Sequence, residues 1–149
     1  MESRLKIFEH MAALKPLFGV AAHLNKSNLE IGLRELVSFR VSQINGCAYC
    51  LDMHAKDARH HGETEQRLYA LSAWRETPFY TDRERAALAW AEAVNKGHVS
   101  DAVYEAAKTQ FSDTELVDLT VAVTTTSTWN RLNLAFGNEV GSYQIGQFA

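Results

Sequence analysis

The sequence predicts an all-α fold, a single helical bundle of about six to seven helices. Apolar residues recur at steps of three and four along almost the whole chain. Two segments begin with a serine or threonine followed three residues later by a glutamate, the pattern of a capping box at a helix start. No segment shows the alternation of strands and helices that a parallel sheet requires.

The first two predicted helices lie within residues 5–24 and residues 30–44. Residues 5–24 have helical apolar spacing, and we expect Pro16 to start, kink or split this helix because proline lacks the backbone donor. The second helix is predicted from apolar side chains at three- and four-residue steps between Leu33 and Ile44.

A third helix is predicted from about Gly46 to residue 61, with Asn45 as its N-cap and Gly62 in the left-handed position that ends it. The stretch "TEQRLYALSAW" then indicates a shorter helix. Later helix starts are marked by their caps, which are Thr81 with Glu84, Ser100, and Ser112 with Glu115. The β-branched run "VAVTTTSTW" locally favours a strand, but the capping box before it and the helical spacing after it predict one long helix.

Length and composition indicate one globular domain over residues 1–149. Hydrophobic residues make up 46% of the chain and the net charge is -3, which leaves no basic surface for nucleic acid. No run of about 18 apolar residues could span a membrane, and the start "MESRLKIFEH" lacks the apolar core of a signal peptide. We therefore expect a cytoplasmic protein, in a compartment where permanent structural disulfides are rare.

Both cysteines of the chain, Cys47 and Cys50, lie close to His54 in the stretch "NGCAYCLDMH". On one helix these residues lie three and four apart and share a face. The positive end of a helix favours thiolate over thiol, and a thiolate is the nucleophile of disulfide exchange and peroxide reduction. His54 can take the proton from Cys50.

Glu35 is the carboxylate expected to orient His54. If the second and third helices pack as a hairpin joined at "NG", Glu35 approaches the histidine about two turns from the connection. An imidazole acts best as a proton acceptor when a third group orients it. Glu35, His54, Cys50 and Cys47 therefore form a candidate redox relay.

The residues alone leave several interpretations open. These are redox chemistry, a metal-binding or redox-sensing role without catalysis, and buried inert thiols. A zinc site could use the two cysteines, the histidine and the glutamate, but the usual structural sites have four cysteines or two cysteines with two histidines. A c-type haem requires histidine where this chain has Leu51, and the lack of flanking strands argues against a thioredoxin fold.

The spacing Glu35-x₁₁-Cys47-x₂-Cys50-x₃-His54 resembles the alkylhydroperoxidase D-like branch of the carboxymuconolactone decarboxylase family. The similarity covers roughly residues 8–137 and continues through "RELVSFRVSQINGCAYCLDMHAKDAR", "RLYALSAWRETPFYTDRERAALAWAEAV", "FSDTELVDLTVAV" and "WNRLNLAF". The decarboxylase branch lacks the C-x-x-C pair, so the two cysteines favour the redox branch.

The resemblance implies an antioxidant peroxidase or thiol–disulfide oxidoreductase that needs no cofactor or metal. Cys50 matches the peroxidatic cysteine, which attacks a hydroperoxide and becomes a sulfenic acid. Cys47 matches the resolving cysteine, which condenses with it to form the Cys47–Cys50 disulfide. His54 and Glu35 match the proton relay, an external thiol or dithiol regenerates the thiols, and the subunits form a homo-trimer or homo-hexamer.

The chain departs from the best-known members of this branch at Tyr49, where they have a second histidine. A phenol, with a reference pKa near 10, is a poor proton shuttle at neutral pH. Residues 138–149, "NEVGSYQIGQFA", form a glycine-interrupted C-terminal tail that we expect to be a loose end or a strap over a neighbouring subunit.

Overall fold

The computed structural model describes residues 2–148, which form seven α-helices and two short 3-10 helices without a β-strand. The α-helices are α1 (Met11–Asn25), α2 (Ile31–Asn45), α3 (Ala48–His60), α4 (Glu65–Ala70), α5 (Asp82–Lys96), α6 (Asp101–Lys108) and α7 (Asp113–Phe136). The 3-10 helices are Ile7–Glu9 and Leu71–Glu76. The predicted all-α bundle is confirmed. Met1 and Ala149, the ends of the predicted domain, lie outside the described residues.

Helix α2 lies at the centre of the bundle and packs against α3, α5 and α7. One face of α2 carries Val37 and Val41, which are fully buried among apolar side chains of α5, α6 and α7. Its other side carries Leu36, fully buried against the 3-10 helix Leu71–Glu76 and α5. Because α2 is packed on several sides, the polar side chains that project from it are held on a rigid support.

Side-chain caps account for the helix starts in the second half of the chain. The predicted capping boxes Thr81–Glu84 and Ser112–Glu115 are both present, at the starts of α5 and α7. Ser100 accepts a backbone N–H at the start of α6, as predicted. These local hydrogen bonds satisfy donors that the helices themselves leave unpaired.

The β-branched run of α7 is helical, as predicted, although its residues favour strands. Hydroxyl groups of Thr120, Thr124 and Thr128 each donate to the backbone carbonyl four residues earlier. These bonds let threonine satisfy its hydroxyl within the helix. None of the helices in residues 2–148 combines the length and apolarity needed to cross a membrane.

Of the three predicted effects of Pro16, a start and a split of the first helix are wrong, and a kink stays a prediction. Helix α1 begins at Met11, after the 3-10 helix Ile7–Glu9, and runs through Pro16. Proline removes the donor that would bond the carbonyl of Ala12. Ala12 is exposed, so water can donate to that carbonyl and the helix continues.

The prediction that Asn45 caps the third helix is also wrong, because Asn45 is the last residue of α2. Its side-chain amide donates to Asn95 Oδ1 at 3.1 Å and to Asn130 Oδ1 at 3.0 Å. Asn130 is fully buried and donates to Ser42 Oγ at 3.0 Å. We call Ser42, Asn45, Asn95 and Asn130 the amide cluster; it joins α2, α5 and α7.

A second polar contact, which is partly buried, centres on the carboxylate of Glu92 in α5. Arg40 Nε and Trp74 Nε1 each donate to its Oε1 at 2.9 Å, and Arg75 Nη1 donates to its Oε2 at 2.7 Å. Burial raises the pKa of Glu92, but the hydrogen bonds from Trp74, Arg75 and Arg40 outweigh it and lower the pKa below its usual 4.5.

Glu92→Gln is expected to lower the free energy of unfolding by about 2 kcal/mol at neutral pH, because three donors lose a charged acceptor. The native pKa of Glu92 lies below the unfolded value, so its contribution is complete well above pH 4.5 and is lost as the pH falls through the native pKa. Urea unfolding of both proteins at neutral and acidic pH measures this difference. Glu105→Gln, at an exposed position, is the control. If Glu92→Gln lowers the free energy of unfolding by the same amount at neutral and acidic pH, the charge of Glu92 does not stabilise the fold.

Candidate active site

Cys47 and Cys50 are joined by a disulfide at the start of α3. Cys47 is the N-cap of α3, and its sulfur accepts the backbone N–H of Cys50 at 3.3 Å. The backbone N–H of Cys47 donates to the Ser42 carbonyl at 3.1 Å, which holds the turn against α2. Gly46, with a left-handed φ of 71°, permits this turn. Both sulfurs thus lie at the positive end of a helix, where thiolates are favoured on reduction.

The structure brings His54 and Glu35 together across the α2–α3 hairpin. His54 Nδ1 lies 2.8 Å from Glu35 Oε2, and both side chains are largely buried. His54 follows Cys50 by one helical turn on the same face of α3. A carboxylate accepts hydrogen bonds, so Nδ1 is the donor of this pair and Nε2 is the nitrogen through which the ring can exchange a proton. This geometry suits a general base, which is the role predicted for His54.

The described part of the C-terminal tail, residues 138–148, packs on α3 of its own chain. The Tyr143 hydroxyl donates to both carboxylate oxygens of Asp57, at 2.8 and 2.9 Å. Lys56 Nζ donates to the Tyr143 carbonyl at 3.1 Å. The expectation of a loose end is therefore wrong for these residues, and the tail covers α3 of the same subunit.

The tail buries both sulfurs. Tyr143 and Phe148 form one apolar cluster with Cys47, Tyr49 and Cys50. Each cysteine is only 1% exposed. Both sulfurs are therefore almost closed to solvent in this structure.

Asp57 adds a second carboxylate near the Glu35–His54 pair. Burial raises the pKa of Asp57 above its usual value, and the hydrogen bond from Tyr143 partly offsets this effect. Asp57 is absent from the relay predicted from the sequence, because its significance depends on a tail residue 86 positions away. Its spacing of three residues from His54 was the available signal.

Asn133 of α7 was also missed, although its side chain contacts the disulfide. Asn133 Nδ2 lies 3.5 Å from Cys50 Sγ, and the residue is 7% exposed. It follows the buried Asn130 by three residues, so both lie on one face of α7. The sequence signal for Asn133 was the helical spacing of polar residues in α7. Only the fold shows which segment these residues face.

Tyr49, the residue between the cysteines, is buried beside them. Burial raises the pKa of its phenol above the usual value, and the charge of Asp52 raises it further. Tyr49 therefore stays protonated at neutral pH. The residue shapes the apolar side of the site and does not carry protons through it.

Within residues 2–148, no three histidine, cysteine, aspartate or glutamate side chains are arranged to hold a metal ion. The two cysteines are bonded to each other, and Nδ1 of His54 is engaged by Glu35. The side chains considered as zinc ligands from the sequence are therefore bonded to one another in this structure.

Comparisons with known proteins agree with this arrangement. The sequence model of the carboxymuconolactone decarboxylase family matches residues 9–93. The uncharacterized protein YdfG of Bacillus subtilis is 37% identical over 146 residues, which cover 95% of this chain and 99% of YdfG.

Two solved structures share the fold. A protein of unknown function from Agrobacterium tumefaciens, described as a putative antioxidant defence protein AhpD, is 37% identical with a TM-score of 0.89, over 95% of this chain and 100% of its own. The alkylhydroperoxidase AhpD core protein from Ralstonia eutropha is 20% identical with a TM-score of 0.81, over 91% of this chain and 74% of its own, and shows the fold alone. The chain belongs to the carboxymuconolactone decarboxylase family, and its Cys47–Cys50 pair places it with the alkylhydroperoxidase D-like members.

Proposed function

We propose that the protein is a cysteine-based peroxidase that reduces hydroperoxides through a Cys50 thiolate and a Cys47–Cys50 disulfide. The observation that carries the proposal is a disulfide at a helix N-terminus, one turn from a histidine bonded to a buried carboxylate. The antioxidant description of the Agrobacterium relative, 37% identical, supports the same chemistry. The hydroperoxide and an external thiol or dithiol are the proposed partners.

In the first step, His54 Nε2 takes the proton of the Cys50 thiol. The thiolate attacks the terminal oxygen of the hydroperoxide, an S–O bond forms and the O–O bond breaks. The electron pair of that bond leaves with the alkoxide, which takes the proton back from His54 and becomes an alcohol. Glu35 holds the imidazole in place and stabilises its charged form. Cys50 is left as a sulfenic acid.

In the second step, the sulfur of Cys47 attacks the sulfenic sulfur of Cys50. The S–O bond breaks, and the departing hydroxide combines with the thiol proton of Cys47 to form water. The two Cα atoms of the bonded pair lie 5.3 Å apart, within the ordinary range for a disulfide. An external dithiol then reduces the disulfide by two successive exchanges and is itself oxidised.

The burial of both sulfurs favours one alternative, a redox sensor without catalytic turnover. In a sensor, a single oxidation would form the disulfide and alter the tail that covers it. The two functions differ in stoichiometry, because a sensor consumes one oxidant per chain and a peroxidase consumes many when a reductant is supplied.

Assembly into a homo-trimer or homo-hexamer and a cytoplasmic location remain predictions from the sequence. Light scattering of the purified protein tests the first, and fractionation of cells tests the second.

Cys50→Ser is expected to abolish dithiol-driven hydroperoxide consumption, because a hydroxyl cannot replace the thiolate. Cys47→Ser, treated with one equivalent of peroxide and no dithiol, should instead leave a sulfenic acid on Cys50 that dimedone labels. Peroxide loss, measured with several dithiol reductants, tests both variants. If Cys50→Ser consumes hydroperoxide as fast as the parent protein, Cys50 is not the nucleophile. If the parent protein consumes only one equivalent of hydroperoxide per chain in the presence of dithiol, the redox sensor is favoured.

His54→Gln is expected to slow hydroperoxide consumption by about 10²-fold or more, the usual contribution of a positioned general base. Glu35→Gln should cause a smaller loss, because the imidazole remains but is no longer stabilised when it is charged. The control is His60→Gln, an exposed residue of the same helix. Steady-state rates across a pH series provide the measurement, and equal rates for His54→Gln and His60→Gln would contradict the relay.

Tyr143→Ala is expected to speed the labelling of the reduced cysteines by a bulky maleimide, because the tail loses its bond to Asp57 and its packing on the sulfurs. Ile145→Ala, at an exposed position in the same segment, is the matched control. Stopped-flow labelling of both folded variants gives the rates. If Tyr143→Ala reacts no faster than Ile145→Ala, the tail does not limit access.

A further inference from the structure

We propose that Asn133 is a further catalytic residue of this site, whose side-chain amide donates a hydrogen bond that stabilises Cys50 Sγ as an anion. The inference deepens the proposed function and rests on Cys50 as the nucleophile. It comes from the contact between α7 and the start of α3, which the relay predicted from the sequence does not include.

The contact is buried and direct. Asn133 Nδ2 lies 3.5 Å from Cys50 Sγ, within the range of hydrogen bonds to sulfur. The same nitrogen donates to the backbone carbonyl of Trp129 at 2.9 Å. Both the asparagine and the cysteine are buried, so water does not compete for the sulfur.

The surrounding bonds fix which end of the amide faces the sulfur. The carbonyl of Trp129 can only accept, so the atom that bonds it must be the NH₂ group of Asn133. The amide oxygen of Asn133 in turn accepts a bond from Asn138 Nδ2 at 2.5 Å. One amide hydrogen serves Trp129, and the second is left for Cys50 Sγ.

The charges around the sulfur do not by themselves favour an anion. The titratable groups on the elements packed here are His54, Tyr49, Asp52, Lys56 and Asp57 of α3, Glu35 of α2 and Tyr143 of the tail. Lys56, the fixed cation among them, is paired with Asp52 at 2.8 Å, and the carboxylates of Glu35 and Asp57 oppose a thiolate. The positive end of α3 and the Asn133 amide are the features that favour the anion.

The same hydrogen bond serves both halves of the catalytic cycle. Before peroxide attack, it holds the Cys50 thiolate. During reduction, the thiolate of the external dithiol attacks Cys47 Sγ, the S–S bond breaks and its electron pair stays on Cys50 Sγ. Asn133 makes Cys50 the better leaving group, and so directs the reductant to Cys47.

The test is a thiol titration in a Cys47→Ser background, where Cys50 is the sole cysteine. Asn133→Leu, similar in volume, is expected to raise the midpoint of the thiolate absorbance by about one pH unit, because the anion loses its donor. The control is Thr126→Val on the same helix, which is equally buried, at 7% exposure, and loses a bond to Ser38 without touching sulfur. The midpoint of the thiolate absorbance in Thr126→Val should equal that of the parent protein.

Asn133→Asp keeps the shape of the side chain and places oxygen in the position of the donor, so its midpoint should also rise. It carries the test if the leucine variant does not fold, as judged by circular dichroism. A midpoint within about 0.2 pH units of the parent for a folded Asn133 variant, or an equal rise for Thr126→Val, would overturn the proposal. The titration uses no hydroperoxide, so its outcome is separate from that of the peroxidase assay.

Discussion

The hydrogen bonds of the amide cluster set the positions of the helices that build the site. Asn130 is fully buried and bonds both Asn45 and Ser42 at 3.0 Å. A shift of α7 along α2 would leave these polar groups without hydrogen bonds, which would destabilise the fold by about 1–3 kcal/mol for each group. The backbone carbonyl of Ser42 also holds Cys47, and Asn133 lies one turn beyond Asn130. The same contacts therefore hold α7 against α2 and bring its amide to the disulfide.

The site has a proton side and an anion side. Glu35 and His54, from the central hairpin, form the proton side, which is buried enough to keep their hydrogen bond dry. The start of α3 and Asn133 form the anion side. In the proposed mechanism the two sides meet at Cys50, which loses a proton and then holds the negative charge. Helix α3 contributes to both sides, whereas Glu35 of α2 and Asn133 of α7 each belong to one side and can be altered separately by mutation.

The features that could be predicted from the sequence are those governed by short spacings. Capping boxes such as Thr81–Glu84 depend on residues three apart, and the placing of Cys50, His54 and Glu35 follows from two helices joined by a tight turn. Asn133 contacts a residue 83 positions away, and no local rule indicates which face of α7 meets the cysteines. Asn45 was misassigned because its side chain bonds distant asparagines in preference to a cap.

Helix α3 differs from its neighbours in the atom that caps it. Helices α4 to α7 begin at serine or threonine hydroxyls, whereas α3 begins at the sulfur of Cys47. Sulfur is a weaker hydrogen-bond acceptor than a hydroxyl oxygen, so this cap contributes less to the helix start than the others do. The disulfide and the first turn of α3 share the Cys47 sulfur, and the same helix anchors the tail through Lys56 and Asp57. A change in the covalent state of Cys47 therefore acts on the helix that holds the cover of the site.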